Sequence, residues 1–203
     1  MVNLGGKPLV QWTVEAARDS GVFDIIVVSS DSDEILELGV SLGCVAYKRS
    51  DALATSRARI FDVCVEAVEQ FPCDSFAMLS PTSPFRGEAE IQYAYTEFSH
   101  LPIDCLMSAT EYEYPPQWAL TYDGHKLRPT YREVYQIKRQ DLLMLCKHDG
   151  SMIMCKADKF LEVDDWIEME TVPFYLPREK AVDIDEPIDL KWAEFLLGER
   201  NEN

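Results

Sequence analysis

The sequence predicts an α/β fold, with a mostly parallel sheet, helices on both faces and a projecting β arm. Three observations predict it. Short apolar runs alternate with stretches of helical periodicity along the chain. Ile25-Ile26-Val27-Val28 is an unbroken β-branched run, as expected of a strand buried on both faces. From Glu111 to Asp149 the texture shifts to Tyr, Pro and charged residues, which reads as the arm. The 203 residues suit one domain, residues 1–203, rather than two.

The elements follow in order. Leu9, Trp12, Thr13, Ala16 and Ala17 recur at helical spacing, and Gly21 can end that helix. After the strand through Val28, Asp31 and Glu34 form a capping pattern ahead of Ile35, Leu36 and Leu38. Gly43 closes this helix, and Cys44 to Tyr47 reads as a short strand. A helix over Ala58 to Gln70 presents Ile60, Val63, Cys64, Ala67 and Val68 on one face. Ser75 to Leu79 is a buried strand running into Ser80-Pro81-Thr82-Ser83-Pro84-Phe85-Arg86-Gly87, and a helix starts near Glu88. Leu106 to Ala109 is another core strand. In the arm, Asp123-Gly124 marks a hairpin turn. The core resumes at Met152-Ile153-Met154. A last strand near Thr171 to Tyr175 leads to Asp183-Ile184-Asp185, and Pro187 opens a final helix. Asn201 to Asn203 read as a loose tail.

Composition excludes several classes. A net charge of −17 argues against sequence-independent nucleic-acid binding, which rests on Lys and Arg neutralising phosphates. An anionic small substrate would need a local cluster of the few cations. No segment has the ~20 apolar residues of a membrane span, and the start shows no signal pattern. A soluble, cytoplasmic protein is expected. The six cysteines are scattered without a C-x-x-C pair, so neither a zinc site nor a disulfide framework is signalled.

Three segments carry candidate chemistry. In an extended stretch, residues two apart face the same way, so Asp183 and Asp185 can bring two carboxylates together. Held close, they favour a bound cation, and hard oxygen ligands beside a polyphosphate suit Mg²⁺. Asp185 could instead cap the last helix, while Asp189 reads as solvated helix surface. Ser80, Thr82, Ser83 and Arg86 lie at the carboxyl end of a core strand, where open α/β sheets bind ligands. Their hydroxyls can donate to anionic oxygens and Arg86 can pair with one, although a rigid capped turn would use the same residues. Lys138-Arg139-Gln140-Asp141-Leu142, followed by Lys147-His148-Asp149-Gly150-Ser151, places two adjacent cations where Arg can take a carboxylate or phosphate, or simply a solvated face. Lys7, Arg49 and Arg178 are isolated cations at predicted element ends, and His148 has no partner at metal-ligand spacing.

In this order the segments resemble the acylneuraminate cytidylyltransferase family, the enzymes that make CMP-activated sialic, pseudaminic and legionaminic acids. Leu4-Gly5-Gly6-Lys7-Pro8-Leu9 is similar to the family's L-x-G-K-P-L, and Val27-Val28-Ser29-Ser30-Asp31 to its V-V-S-T-D. Pro81 to Arg86 resembles P-T-S-P-L-R, Arg139-Gln140-Asp141 matches R-Q-D, and Asp183-Ile184-Asp185 matches the metal-holding D-I-D. Within the family, Tyr114-Pro115-Pro116-Gln117-Trp118-Ala119-Leu120 and His148-Asp149-Gly150 resemble the pseudaminate branch, and Ser80 stands where sialate enzymes carry Gln.

The resemblance implies a Rossmann-like nucleotidyltransferase fold and a reaction. The anomeric hydroxyl of a nonulosonic acid attacks the α-phosphate of CTP, and pyrophosphate leaves. It implies Mg²⁺ on Asp183 and Asp185, Arg49 near the nucleotide, and Arg139, Gln140 and Asp141 at the sugar acid. It also implies a homodimer formed through the arm.

The sequence departs from the family pattern in two places. The family opens with a strand and a basic loop, A-R-x-G-S-K-x-I-P-x-K-N, just before L-x-G-K-P-L. Here Met1 falls where that loop ends, so the resemblance implies a chain lacking the loop, with unpaired sheet edges beside Val27 and Leu79. The stretch Arg49 to Arg57 replaces the Pro, Glu and final Asp of the family's R-P-x-E-L-A-x-D. Two rivals therefore stay open. One is a nucleotidyltransferase of the same fold for another acid, legionaminic or N-acetylneuraminic, or using GTP. The other is a catalytically impaired remnant that binds a sugar acid or a partner.

Overall fold

The computed structural model describes residues 1–202; Asn203 lies outside them. The chain opens with a small hairpin, β1 (Asn3–Leu4) and β2 (Lys7–Pro8), followed by α1 (Leu9–Ser20). Pro8 stands immediately before α1, and Gly21 ends it in the left-handed conformation, as its place in the sequence predicts. Next come β3 (Val27–Ser30), α2 (Asp33–Ser41) and β4 (Val45–Lys48). A Cβ on Gly39 would sit 3.0 Å from Val28, so this glycine lets α2 lie close on β3. α3 (Ile60–Gln70), β5 (Ser75–Leu79), α4 (Glu88–His100) and β6 (Cys105–Glu111) complete the first half.

The segment following β6 holds a hairpin of β7 (Leu120–Tyr122) and β8 (Leu127–Pro129), turned at Asp123-Gly124 as predicted. Its Asp123 carboxylate accepts the N–H groups of His125 and Lys126. Then follow β9 (Cys146–Lys156), α5 (Ala157–Phe160), β10 (Thr171–Tyr175) and α6 (Pro187–Glu202). The predicted tail is helical as far as Glu202.

The sheets correct the expectation of a mostly parallel arrangement. The larger sheet has the order β10-β6-β9-β5. β10 runs parallel to β6, but β9 runs antiparallel to both β6 and β5. The chain leaves β6, passes through the β7–β8 hairpin and returns along β6 as β9, which reverses direction. β3 and β4 pair in parallel as a separate sheet. Among the described residues, β3 pairs with β4 alone and β5 with β9 alone, leaving each an edge without a strand partner. Val27 and Leu79 on these strands are only partly buried.

Two apolar clusters flank the larger sheet. On one side Phe61, Phe76, Phe160 and Trp166 pack ring against ring, with Cys64, Cys105 and Cys155 among them. The thiols are free, and Cys155 and Cys105 face each other across β9 and β6 with sulfurs 3.4 Å apart. On the other side α1 and α4 contribute Ala16, Ile91, Ala94 and Phe98. Among the described residues no helix is long and apolar enough to cross a membrane.

Candidate active site

The segment after β10 builds the acid pair. Val182 and Ile184 are buried against Leu4, Leu9, Phe85 and Ala193, while Asp183 and Asp185 are exposed. The alternation turns both carboxylates outward from a fixed backbone, as the spacing predicts. The Ile184 N–H donates to the Thr82 carbonyl at 2.9 Å, which joins this segment to the loop after β5. Neither carboxylate makes a hydrogen bond or ion pair among the described residues.

The helix cap falls elsewhere than the sequence suggests. Asp189 reaches back to accept the N–H groups of Asp185 at 3.2 Å and Glu186 at 2.8 Å. Asp189 is therefore a capping residue rather than solvated helix surface, and the Asp185 carboxylate is free. The pair fits Mg²⁺ by donor chemistry. Two hard carboxylates face outward, and no group of three or more His, Cys, Asp or Glu gathers as a metal site among the described residues. The two outward carboxylates are the donors suited to an ion that takes one or two protein carboxylates and completes its shell with phosphate oxygens and water.

The loop after β5 divides into two parts. Ser80 and Thr82 are partly exposed, with their hydroxyl oxygens 2.8 Å apart. Ser83 and Arg86 are fully buried. Arg86 Nη1 donates to the Ser151 carbonyl at 2.5 Å, so the guanidinium points into the protein and not to an open cleft. This corrects the expectation that Ser83 and Arg86 meet an anionic ligand in the same way as Ser80 and Thr82. Burial pushes the Arg86 guanidinium down to about 10, against the opposing charges of Asp149 and Glu90.

The sequence names Asp149 within a motif but gives no sign that it is a second buried charge on the same backbone as Arg86. Asp149 is 6% exposed, and its Oδ1 accepts the Ser108 hydroxyl and, at 3.0 Å, the Ser151 N–H. The only sequence signal for it was the His148-Asp149-Gly150 turn. Gly150 has φ +81, and a Cβ there would come 3.7 Å from Asp183 Oδ2. Asp183 thus lies against this turn. His148 stands beside it, its imidazolium disfavoured by desolvation despite the charges of Asp149 and Asp183.

Other predicted residues sit apart from the acid pair. Arg49 is fixed at the end of β3, donating Nη2 to the Ser29 carbonyl at 2.9 Å. Arg139, Gln140 and Asp141 form an exposed one-turn helix between β8 and β9, and Arg139 donates to the Glu113 carbonyl at 3.1 Å. No hydrogen bond or ion pair among the described residues joins them to Asp183 or Asp185. Lys7 is paired with Glu15, and Arg178 with Glu113 at 3.0 Å. A groove of about 420 Å³ lined by Thr110, Met144, Tyr175 and Arg178 includes none of the predicted catalytic or substrate residues.

A cytidylyltransferase family profile matches residues 1–108, just over half of the chain, including the whole Ser80–Arg86 loop. The chain belongs to the cytidylyltransferase family. It is therefore a nucleotidyltransferase. It is 30% identical over 210 residues to the pseudaminic acid cytidylyltransferase of Campylobacter jejuni, covering 100% of this chain and 90% of that protein. It is 31% identical over 209 residues to the CMP-N,N'-diacetyllegionaminic acid synthase of Legionella pneumophila, covering 96% and 87%. The structure of a CMP:2-keto-3-deoxy-manno-octonic acid synthetase complexed with CTP superposes with a TM-score of 0.72 at 12% identity, covering 98% of this chain and 91% of that one. That likeness shows the α/β nucleotidyltransferase fold.

Proposed function

We propose that this cytidylyltransferase transfers CMP from CTP to a nine-carbon 2-keto sugar acid, releasing pyrophosphate, with pseudaminic acid as its preferred acceptor. One observation carries the reading. Two unbonded carboxylates, Asp183 and Asp185, stand on an anchored backbone hydrogen-bonded to the Ser80–Arg86 loop. The name of the 30% identical relative and the Tyr114–Leu120 segment support the acceptor.

Asp183 and Asp185 would hold Mg²⁺. When bound, Mg²⁺ supplies charge neutralisation at the phosphate oxygens of CTP. Ser80 and Thr82 share one hydrogen between their hydroxyls, which leaves the other free to donate to a phosphate oxygen. Arg49, steadied by Ser29, serves the nucleotide. Arg139 keeps guanidinium N–H groups for the acceptor's carboxylate, with Gln140 and Asp141 free to bond its hydroxyls. With both substrates so held, the anomeric hydroxyl gives up its proton to solvent as its oxygen bonds the α-phosphorus and the bond to pyrophosphate breaks, and positioning supplies much of the acceleration.

The acceptor assignment is tested by turnover with pseudaminic, legionaminic and N-acetylneuraminic acids under equal CTP and Mg²⁺. The highest kcat/KM is expected with pseudaminic acid. A higher value with either of the others overturns the assignment.

The arm would form a homodimer. Tyr114, Tyr122, Leu127, Leu143 and Met144 are all exposed there, an apolar and aromatic surface of the kind interfaces use. Sedimentation at micromolar concentration is expected to give a dimer, and a monomer would overturn that assignment.

A further inference from the structure

Among the described residues, six buried side-chain atoms have no hydrogen-bond partner: Ser83 Oγ, Arg86 Nε and Nη2, Thr110 Oγ1, Asp149 Oδ2 and Ser151 Oγ. All belong to three segments, the loop after β5, the end of β6 and the turn in β9. The connections between them run through the backbone of one residue. The Ser151 carbonyl accepts both the Ser80 N–H at 3.0 Å and Arg86 Nη1 at 2.5 Å. The Ser151 N–H donates to Asp149 Oδ1 at 3.0 Å. Ser108, which bonds the same carboxylate, also accepts the Met152 N–H at 2.9 Å.

A buried anion and a buried cation therefore hold the N–H and C=O of one residue. They do so where the β6–β9 register shifts, between Met107 and Ala109. Burying two charges at a sheet irregularity is costly and does not by itself favour folding. Bulges of this kind recur where a strand must re-aim a side chain. Here the neighbouring residue is Gly150, which lies against Asp183, and the clamped loop is the one whose Thr82 carbonyl bonds Ile184.

We propose that Asp149 and Arg86 are positioning residues. By holding the Ser151 backbone at both its N–H and its C=O, they fix the strand irregularity at Gly150 and the Ser80–Arg86 loop, and through these the orientation of Asp183. The inference rests on the reading of Asp183 as a metal-holding carboxylate. Neither residue touches substrate.

The test compares Asp149→Asn with the double variant Arg86→Met/Asp149→Asn in the full chain. Asp149→Asn keeps the shape and the Oδ1 acceptor but leaves Arg86 without a counter-charge. Two readouts are taken, amide hydrogen exchange at Ser80, Ser151 and Ile184, and steady-state kinetics with CTP. In Asp149→Asn those three amides should exchange at least about tenfold faster, while amides in the interior of α4 keep their protection. Turnover should fall by about tenfold, with KM for CTP within about twofold. The double variant balances the charges and should recover the midpoint of thermal unfolding without recovering turnover.

Unchanged exchange at the three amides, or wild-type turnover in the double variant, would overturn the proposal. Should Asp149→Asn not fold, Ser108→Ala is measured instead, since it removes one bond to Asp149 and leaves both charges. Its expected change is about threefold in the same amides, and none would overturn the proposal. If the unaltered chain transfers no CMP, the functional reading fails, and the exchange measurements still decide the clamp.

Discussion

Asp183→Ala is expected to lower the turnover of CMP transfer by at least about a hundredfold, roughly 3 kcal/mol of transition-state stabilisation. The size follows from the placement of the carboxylate. It is exposed, bonded to nothing in the protein, and carried by a backbone that Val182 and Ile184 anchor in the core. Its removal leaves that backbone in place, so unfolding should barely change while the rate collapses. Measurement of kcat and of the urea midpoint on the same preparation separates the two effects. A variant with wild-type turnover would remove Asp183 from the mechanism.

Arg86→Met is expected to do the reverse, acting first on stability. Asp149 would lose the opposing charge of a guanidinium that it does not bond directly, and a hydrogen bond from a charged donor is worth about 1.5–3 kcal/mol. The Ser151 carbonyl would also lose one of its two donors. The urea midpoint should fall sharply with little change in slope. If stability stays within about 1 kcal/mol of wild type while KM for CTP rises, Arg86 reaches the nucleotide and its inward placement is wrong.

These two residues also show what a sequence can and cannot carry. Period-two spacing was enough to foretell that Asp183 and Asp185 share a face, because the flanking Val182 and Ile184 leave only one way to bury the segment. Most helices and strands were legible for the same reason, but the Ile25–Val28 run, expected as a strand buried on both faces, is strand only from Val27, and Ile25 is exposed. Direction was not legible in β9. Met152 to Cys155 are all buried, and a strand buried on both faces reads alike whichever way it runs. The capping of α6 was ambiguous because Asp185 and Asp189 both lie within reach of its first turn, and only the fold assigns it to Asp189.

Arg86 was left open between a ligand contact and a structural role for a different reason. A cation at the carboxyl end of a core strand is the pattern of an anion site, and nothing local reveals a buried carboxylate 63 positions further on. Asp149 is legible only once β9 is laid antiparallel along β6, which brings Ser108 to its side chain. Arg49 and the Arg139–Asp141 turn stand where their motifs put them in the chain, on other elements from the acid pair.

The central claim is that this polypeptide joins CMP to a nonulosonic acid, and the most direct test is CTP-dependent release of pyrophosphate. With Mg²⁺, CTP and pseudaminic acid, pyrophosphate should appear one for one with the CMP-linked sugar, and neither should appear when the acid is left out. Absence of pyrophosphate release with every nonulosonic acid tried would contradict the account.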